Sequence, residues 1–155
     1  MTLCKDIPYE TMTSLEQIAD IFSINHDGTI TKLENLNNSL SIQIEIEYLA
    51  SLKNSSYKVL NYELSGYSNF KFVDTCENNK VYTEIKEIEK MELSIFQAKV
   101  KGDNVIVGVC SDNCPYGELQ FSAKNIKIYD QNYAKIEYNE LVNMVKRYWK
   151  KWQKK

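Results

Sequence analysis

Apolar residues recur every three or four positions over residues 15–22, a spacing that is typical of a helix. Thr13 or Ser14 can cap its amino end, because a Glu or Gln three residues later completes a capping box. We therefore predict a helix over residues 13–22. A turn at residues 26–28 should follow, with the glycine supplying a positive φ.

After this turn the hydrophobic period changes from helical spacing to strict alternation. The clearest case is residues 40–48, where Ile42 and Ile44 face the core and polar side chains face outward. Such alternation is typical of an antiparallel strand with one solvated face. Residues 57–65 repeat the pattern, and Phe70 and Phe72 continue it, so we predict a meander of hairpins.

The second half of the chain predicts more strands, and the alternation of apolar and polar residues changes phase twice within them. The first lies between Ile95 and Phe96, where a β-bulge would restore the register. A hairpin turn at residues 101–104 precedes residues 105–110, which are apolar on both faces and so indicate a central strand. Residues 118–129 form the last predicted strand, with the second phase change inside it. Residues 83–90 predict one or two helical turns.

The chain ends in an amphipathic helix from about Tyr138, whose apolar stripe runs from Leu141 to Trp152. The sum is an α+β fold of about seven mostly antiparallel strands in a meander, barrel-like or strongly curved sheet. A short N-terminal helix and this C-terminal amphipathic helix complete it. With 155 residues and 43% hydrophobic content, we predict a single domain over residues 1–155.

Neither a signal peptide nor a membrane span is apparent in the sequence. The four cysteines (Cys4, Cys76, Cys110 and Cys114) are too unevenly spaced for a secreted disulfide framework. We therefore expect a cytoplasmic protein without membrane contact. Cys110 and Cys114 form a C-x3-C pair, but zinc needs about four ligands, so we expect no metal or cofactor. We expect Cys110 to pack as a small hydrophobe at the end of a buried strand, and Cys114 to lie in a turn where it can be exposed.

The net charge of -2 hides a strong asymmetry. Residues 1–145 hold 21 acids and 13 bases, a net of -8, whereas the last ten residues hold six bases and no acid. Lys146, Arg147, Lys150 and Lys154 form an alternative basic surface that, with the nearby aromatic rings, could bind phosphates and stack bases. We favour a docked helix with a solvated basic face, since the rings continue the apolar stripe.

Residues 23–34 resemble a calcium-binding EF-hand loop in spacing, with candidate ligands Asn25, Asp27 and Glu34. Ser23 replaces the charged first ligand, and a strand replaces the exit helix, so a helix-to-strand turn is preferred. His26, the sole histidine, has no serine or cysteine tied to it by sequence. No Walker, GxGxxG, GxSxG or HExxH motif is present, so we predict no enzyme activity.

Exposed carboxylates are the other candidate binding feature. We expect Glu45 and Glu47 on one outward strand face, and Glu84 and Glu87 belong to a second acidic segment. Such faces attract basic partners and speed their association.

The order of residues 24–30, alternating strands and a closing Tyr148-Trp149 is similar to that of small bacterial proteins of the polymorphic-toxin immunity type. The resemblance covers residues 24–152 and implies a protein-binding role, with no functional residue carried over.

We therefore predict a non-enzymatic, cytoplasmic binding protein, of immunity type, that neutralises a bacterial toxin through its acidic sheet face. The expected partner is a protein, and nucleic acid is not the preferred partner. The alternative is a small-ligand or nucleic-acid binding module that uses the basic aromatic C-terminal helix.

Overall fold

The computed structural model describes residues 13–153, which form one curled antiparallel sheet and four helices. The elements in chain order are α1 (Ser14–Ile24), β1 (Thr29–Leu36), β2 (Ser39–Glu45), α2 (Glu47–Ala50), β3 (Val59–Ser65), β4 (Ser68–Asp74), β5 (Lys80–Tyr82), α3 (Ile85–Glu89), β6 (Ser94–Lys101), β7 (Asn104–Ser111), β8 (Cys114–Ser122), β9 (Asn125–Tyr129), β10 (Lys135–Ile136) and α4 (Tyr138–Gln153). The strand order is β10-β9-β3-β2-β1-β6-β7-β8-β4-β5.

The predicted α+β class, the antiparallel pairing and the C-terminal helix are confirmed. The prediction of about seven strands was too low, because residues 13–153 form ten strands in one open sheet, which is not closed into a barrel. The single strand predicted over residues 118–129 is two strands, β8 and β9, which pair with different neighbours. The edge strands β5 and β10 have three and two residues, too short to show a period.

Helix α1 is the centre around which the sheet curls. Thr13 caps it through the predicted capping box with Glu16. The helix packs against β6 and β7 on one side and β9 on the other. Phe22 lies 5.5 Å from Phe121 of β8, ring centre to ring centre, so the concave face of the sheet and α1 share one core.

The turn after α1 differs from the prediction in one respect. Asp27 has the positive φ, 72°, and Gly28 does not. Glycine is needed at position 28 for space, because a Cβ there would lie 2.7 Å from the Ile44 side chain. The tight packing brings the turn against the end of β2. Backbone hydrogen bonds between Asp27, Gly28 and Ile95 fix it to β6 as well.

Strand β2 ends at Glu45, although the alternation in the sequence continues to Tyr48. Ile46 stays buried, and its N–H donates to the carbonyl of Lys58. The chain then turns into α2, so Glu47 and Tyr48 belong to a helix. The predicted bulge in β6 is confirmed by the register shift between Ile95 and Gln97.

Short helix α3 covers the part of β1 that β6 leaves unpaired. β1 and β6 pair only through Thr29 and Ser94. Further along β1, the N–H of Leu33 donates to Glu89, and Lys86 donates to the Leu33 carbonyl. None of the helices in the described part of the chain is long and apolar enough to cross a membrane.

Candidate functional site

Helix α4 changes its surroundings halfway along its length. In its first half Leu141, Met144 and Val145 are buried in the core. In its second half Trp149 is 36% exposed and Trp152 is 52% exposed. The sequence predicts that these rings dock with the rest of the apolar stripe. In the outer half this holds only in part, because Tyr148 is half-buried against Tyr48, whereas Trp149 and Trp152 remain partly exposed.

A groove forms where the outer half of α4 passes α2. Its aromatic side is a cluster of tilted rings: the Tyr48 and Tyr148 ring centres are 4.7 Å apart, and Trp152 lies 6.2 Å from Tyr148. We call this cavity of about 390 Å³ the α4 groove. Its lining residues are Tyr48, Ser51, Leu52, Arg147, Tyr148, Lys151 and Trp152.

The predicted basic surface contributes directly to this groove. Arg147 lines it, while Lys146 and Lys150 are exposed on the same helix. Lys154 lies outside the residues that the structure describes. Lys151, which the sequence analysis did not single out, is a further lining cation. The groove therefore combines aromatic rings with exposed positive charge, the two features that bind single-stranded nucleic acids.

Tyr48 is fixed in place from both sides. Its hydroxyl donates to the main-chain carbonyl of His26 at 3.0 Å, which ties α2 to the turn after α1. Burial raises the pKa of Tyr48 to about 12, and the nearby Asp27 and Tyr148 act in the same direction. The Tyr48 hydroxyl therefore stays protonated, and keeps donating to the His26 carbonyl, to a higher pH than an exposed tyrosine would.

An ion pair holds the base of α4 against the same region. The Lys53 Nζ lies 2.5 Å from a carboxylate oxygen of Glu140, in the first turn of α4. The Tyr138 hydroxyl donates to Asp20 of α1 at 2.5 Å. These contacts anchor the inner half of α4 on α1 and on the segment after α2, and they set the angle at which the outer half projects.

The predicted acidic face is divided between different elements. Glu45 is exposed at the end of β2, but Glu47 is exposed in the first turn of α2, so the two do not share a strand face. Glu84 is the residue before α3, and Glu87 is an exposed residue of that helix. The acidic residues thus form two separate groups, one at the β2–α2 junction and one at α3.

The candidate calcium ligands do not converge. Asn25 is completely buried, and its amide is hydrogen-bonded to the Tyr62 hydroxyl and the Ile21 carbonyl. Asp27 is exposed, and Glu34 lies in β1 opposite Ser41. The EF-hand interpretation is wrong, because the loop becomes a strand and its central amide is part of the core.

His26 lies beside Asp27, with 3.2 Å between Nδ1 and a carboxylate oxygen, but without hydrogen-bond geometry. Ser23, one turn earlier, exchanges two hydrogen bonds with the backbone of Ala98. The Ser23 hydroxyl is therefore occupied in attaching α1 to β6. Among the described contacts, this turn also provides the His26 carbonyl that accepts the hydrogen bond from the Tyr48 hydroxyl.

The cysteines are arranged differently from the C-x3-C prediction. Cys110 lies in β7 opposite Ser94, whereas Cys114 faces Cys76, with 2.8 Å between the two sulfurs. Asp74 belongs to the same cluster, since its carboxylate and both sulfurs lie within 4.8 Å of one another. Burial raises the pKa of the Cys114 thiol to about 11, helped by its hydrogen bonds to Cys76 and Asp74. Cys4 lies outside the described residues.

The sequence analysis missed Tyr48 and Leu52 as groove residues and Asp74 and Cys76 as partners of Cys114. Tyr48 looked like a strand residue, and only the early end of β2 at Glu45 places it in a helix. Cys76 and Cys114 are 38 positions apart and meet because β4 pairs with β8. No local spacing signals that contact.

Comparison with known proteins yields no significant match to any protein-family model, curated protein or solved structure.

Proposed function

We propose that the protein is a non-enzymatic binding protein that holds a single-stranded nucleic acid in the α4 groove. The observation that carries this proposal is the position of Trp152 and Tyr148 beside Arg147 and Lys151 in one cavity. Exposed rings stack on bases of any sequence, and the cations neutralise the phosphates between them. This is the alternative function that the basic aromatic helix predicts.

Single strands fit the groove better than a duplex does. A cavity of about 390 Å³ accommodates one or two bases, and stacking needs base faces that a duplex keeps covered. The net charge of -8 over residues 1–145 also repels a long, rigid polyanion that would extend past the groove. A flexible strand can enter at the basic end of α4 and leave the acidic body uncovered.

The salt dependence of binding to a fluorescent oligothymidine tests this proposal. For single strands, log K falls as log salt rises, and each phosphate contact makes this slope more negative by about 0.7. Arg147→Glu with Lys151→Glu should therefore make the slope shallower by roughly 1 to 2 and weaken binding at low salt. The matched control is Lys99→Glu with Lys101→Glu, which changes two exposed lysines of β6 by the same charge.

The control pair should leave the slope close to that of the unmodified protein. Equal losses in both double variants would mean that binding follows net charge alone and would contradict the groove. Absence of saturable binding at low salt would also contradict the proposal. The melting temperature of each variant, measured in parallel, separates loss of a contact from loss of fold.

A second candidate is an immunity-type protein that neutralises a toxin with a basic surface. The observation that favours it is the exposure of Glu45 and Glu47 at the β2–α2 junction, where Gly28, next to the exposed Asp27, packs against Ile44. Opposite charge at such a surface raises the association rate. Co-purification with a toxin encoded beside this protein, compared between Glu45→Lys/Glu47→Lys and Glu84→Lys/Glu87→Lys, tests it. The first variant should lose the complex, and retention in both variants would exclude these carboxylates.

A further inference from the structure

The cluster of Asp74, Cys76 and Cys114 lies at the ends of two paired strands. Asp74 is the last residue of β4, Cys114 is the first residue of β8, and Cys76 lies in the turn after β4. Antiparallel pairing of β4 with β8 brings these positions to the same edge of the structure. The cluster thus combines residues 38 to 40 positions apart in the sequence.

The donor atoms have the chemistry that zinc prefers. Two cysteine sulfurs and one carboxylate oxygen lie within 4.8 Å of one another, as ligands of one ion must. The main-chain N–H of Cys76 donates to Asp74 Oδ1 at 2.9 Å, which orients the carboxylate and leaves its other oxygen for a ligand contact. Soft sulfurs with one hard oxygen suit Zn²⁺ better than Ca²⁺ or Mg²⁺.

One sulfur of the cluster is buried and held in place, whereas the other belongs to an exposed side chain that can rotate. Cys114 is buried, and its sulfur lies 2.8 Å from the Tyr116 carbonyl oxygen, whereas Cys76 is exposed in a turn. The two sulfurs are 2.8 Å apart, and around a tetrahedral zinc with Zn–S of 2.3 Å they would be roughly 3.7 Å apart. Rotation of the exposed Cys76 side chain can supply that change. Asp74 also lines an open cleft of about 480 Å³, through which an ion can reach the carboxylate.

We propose that Asp74, Cys76 and Cys114 bind one Zn²⁺ ion, with a water molecule as the fourth ligand. Binding displaces the protons of both thiols, and no electron transfer is involved. The ion would join the turn after β4 to the start of β8, far in sequence from the residues of the α4 groove. The site is independent of the proposed function.

Cobalt replaces zinc in this test because Co²⁺ bound by thiolates has intense charge-transfer absorption. The reduced protein should bind one equivalent of Co²⁺ with such a band, and excess Zn²⁺ should abolish it. Cys76→Ser and Asp74→Asn should weaken binding by more than about 100-fold, because even substitutions behind the ligands cost 10–100-fold. Cys110→Ala is the matched control, since it removes a thiol of β7 outside the cluster and should leave the band unchanged.

A thermal measurement gives a second readout on the same proteins. A saturating excess of Zn²⁺ should raise the melting temperature of the unmodified protein and of Cys110→Ala by roughly 5–10 °C, and that of Cys76→Ser by much less. Reduced protein with no charge-transfer band would overturn the proposal. A charge-transfer band that persists in Cys76→Ser would overturn it too. So would the formation of a disulfide between Cys76 and Cys114 in a protein whose reduced thiols bind neither Co²⁺ nor Zn²⁺.

Discussion

The two halves of α4 carry the same kind of apolar stripe but have different surroundings. The inner half buries Leu141, Met144 and Val145, while the outer half leaves Trp149 and Trp152 exposed beside basic residues. Helical periodicity identifies which residues share a face, but not whether the rest of the protein reaches that face. The inner half therefore explains stability, and the outer half is available for binding.

The largest predicted difference between the halves is in stability. Leu141→Ala should lower the free energy of unfolding by about 2–5 kcal/mol, because it leaves a cavity in the core. Trp152→Ala should lower it by less than about 1 kcal/mol, since much of that ring is already in water. Urea denaturation measures both. Similar losses in the two variants would mean that the outer half is packed as firmly as the inner half.

The boundary between the halves lies at the Tyr48–Tyr148 ring pair. Aromatic pairs contribute about 0.5–1.5 kcal/mol beyond the area they bury. A double-mutant cycle with Tyr48→Ala and Tyr148→Ala should give a coupling energy in that range, because the ring centres are 4.7 Å apart. A coupling energy near zero would mean that the two rings do not stabilise each other, contrary to the role that we give them in shaping the groove.

The ion pair at the base of α4 should have a smaller effect. Glu140→Gln should cost roughly 0.2–1 kcal/mol, with less loss at high salt, because the pair with Lys53 is partly exposed. Glu137→Gln is a useful control, since its pair with Lys135 is longer, at 3.6 Å, and more exposed. Its cost should be the lower of the two. The reverse order would argue against an anchoring role for Glu140.

The smallest effect should appear only at high pH. The pKa of Tyr48 is raised from 10.0 to about 12, so its contribution to stability is complete below pH 10 and is lost between these two values. Tyr48→Phe removes the titrating hydroxyl and should reduce the fall in unfolding free energy between about pH 10 and pH 12. Tyr62, whose pKa is also raised by burial, still titrates in this variant. An identical fall in both proteins would contradict the burial of Tyr48.

Features that depend on nearby residues could be predicted from the sequence. The capping box at Thr13 and the bulge after Ile95 each arise from a few consecutive positions. The end of β2 could not be predicted, because the alternation continues through Ile46, whose partner Lys58 lies twelve residues away. The break between β8 and β9 likewise depends on pairing with opposite ends of the sheet.

The candidate sites divide in the same way. The basic residues Arg147 and Lys150 were recognised from composition, since charge and helical spacing are local properties. Their aromatic counterpart Tyr48 was not, because α2 reaches α4 only in the folded structure. The meeting of Cys76 with Cys114 also follows from strand order. A site formed by residues of different elements can be predicted only when the strand order is known, and this sequence predicts only part of that order.

Fluorescence anisotropy of a roughly 12-nucleotide oligothymidine, titrated with the unmodified protein and with Trp152→Ala, tests the central claim most directly. Loss of one stacking ring should weaken binding by about fivefold or more, because each stacked base contributes about 1–3 kcal/mol. The free energy of unfolding should stay nearly constant. Tyr133→Ala, which removes an exposed ring elsewhere, should bind like the unmodified protein. Equal affinity of Trp152→Ala and the unmodified protein would contradict binding in the α4 groove.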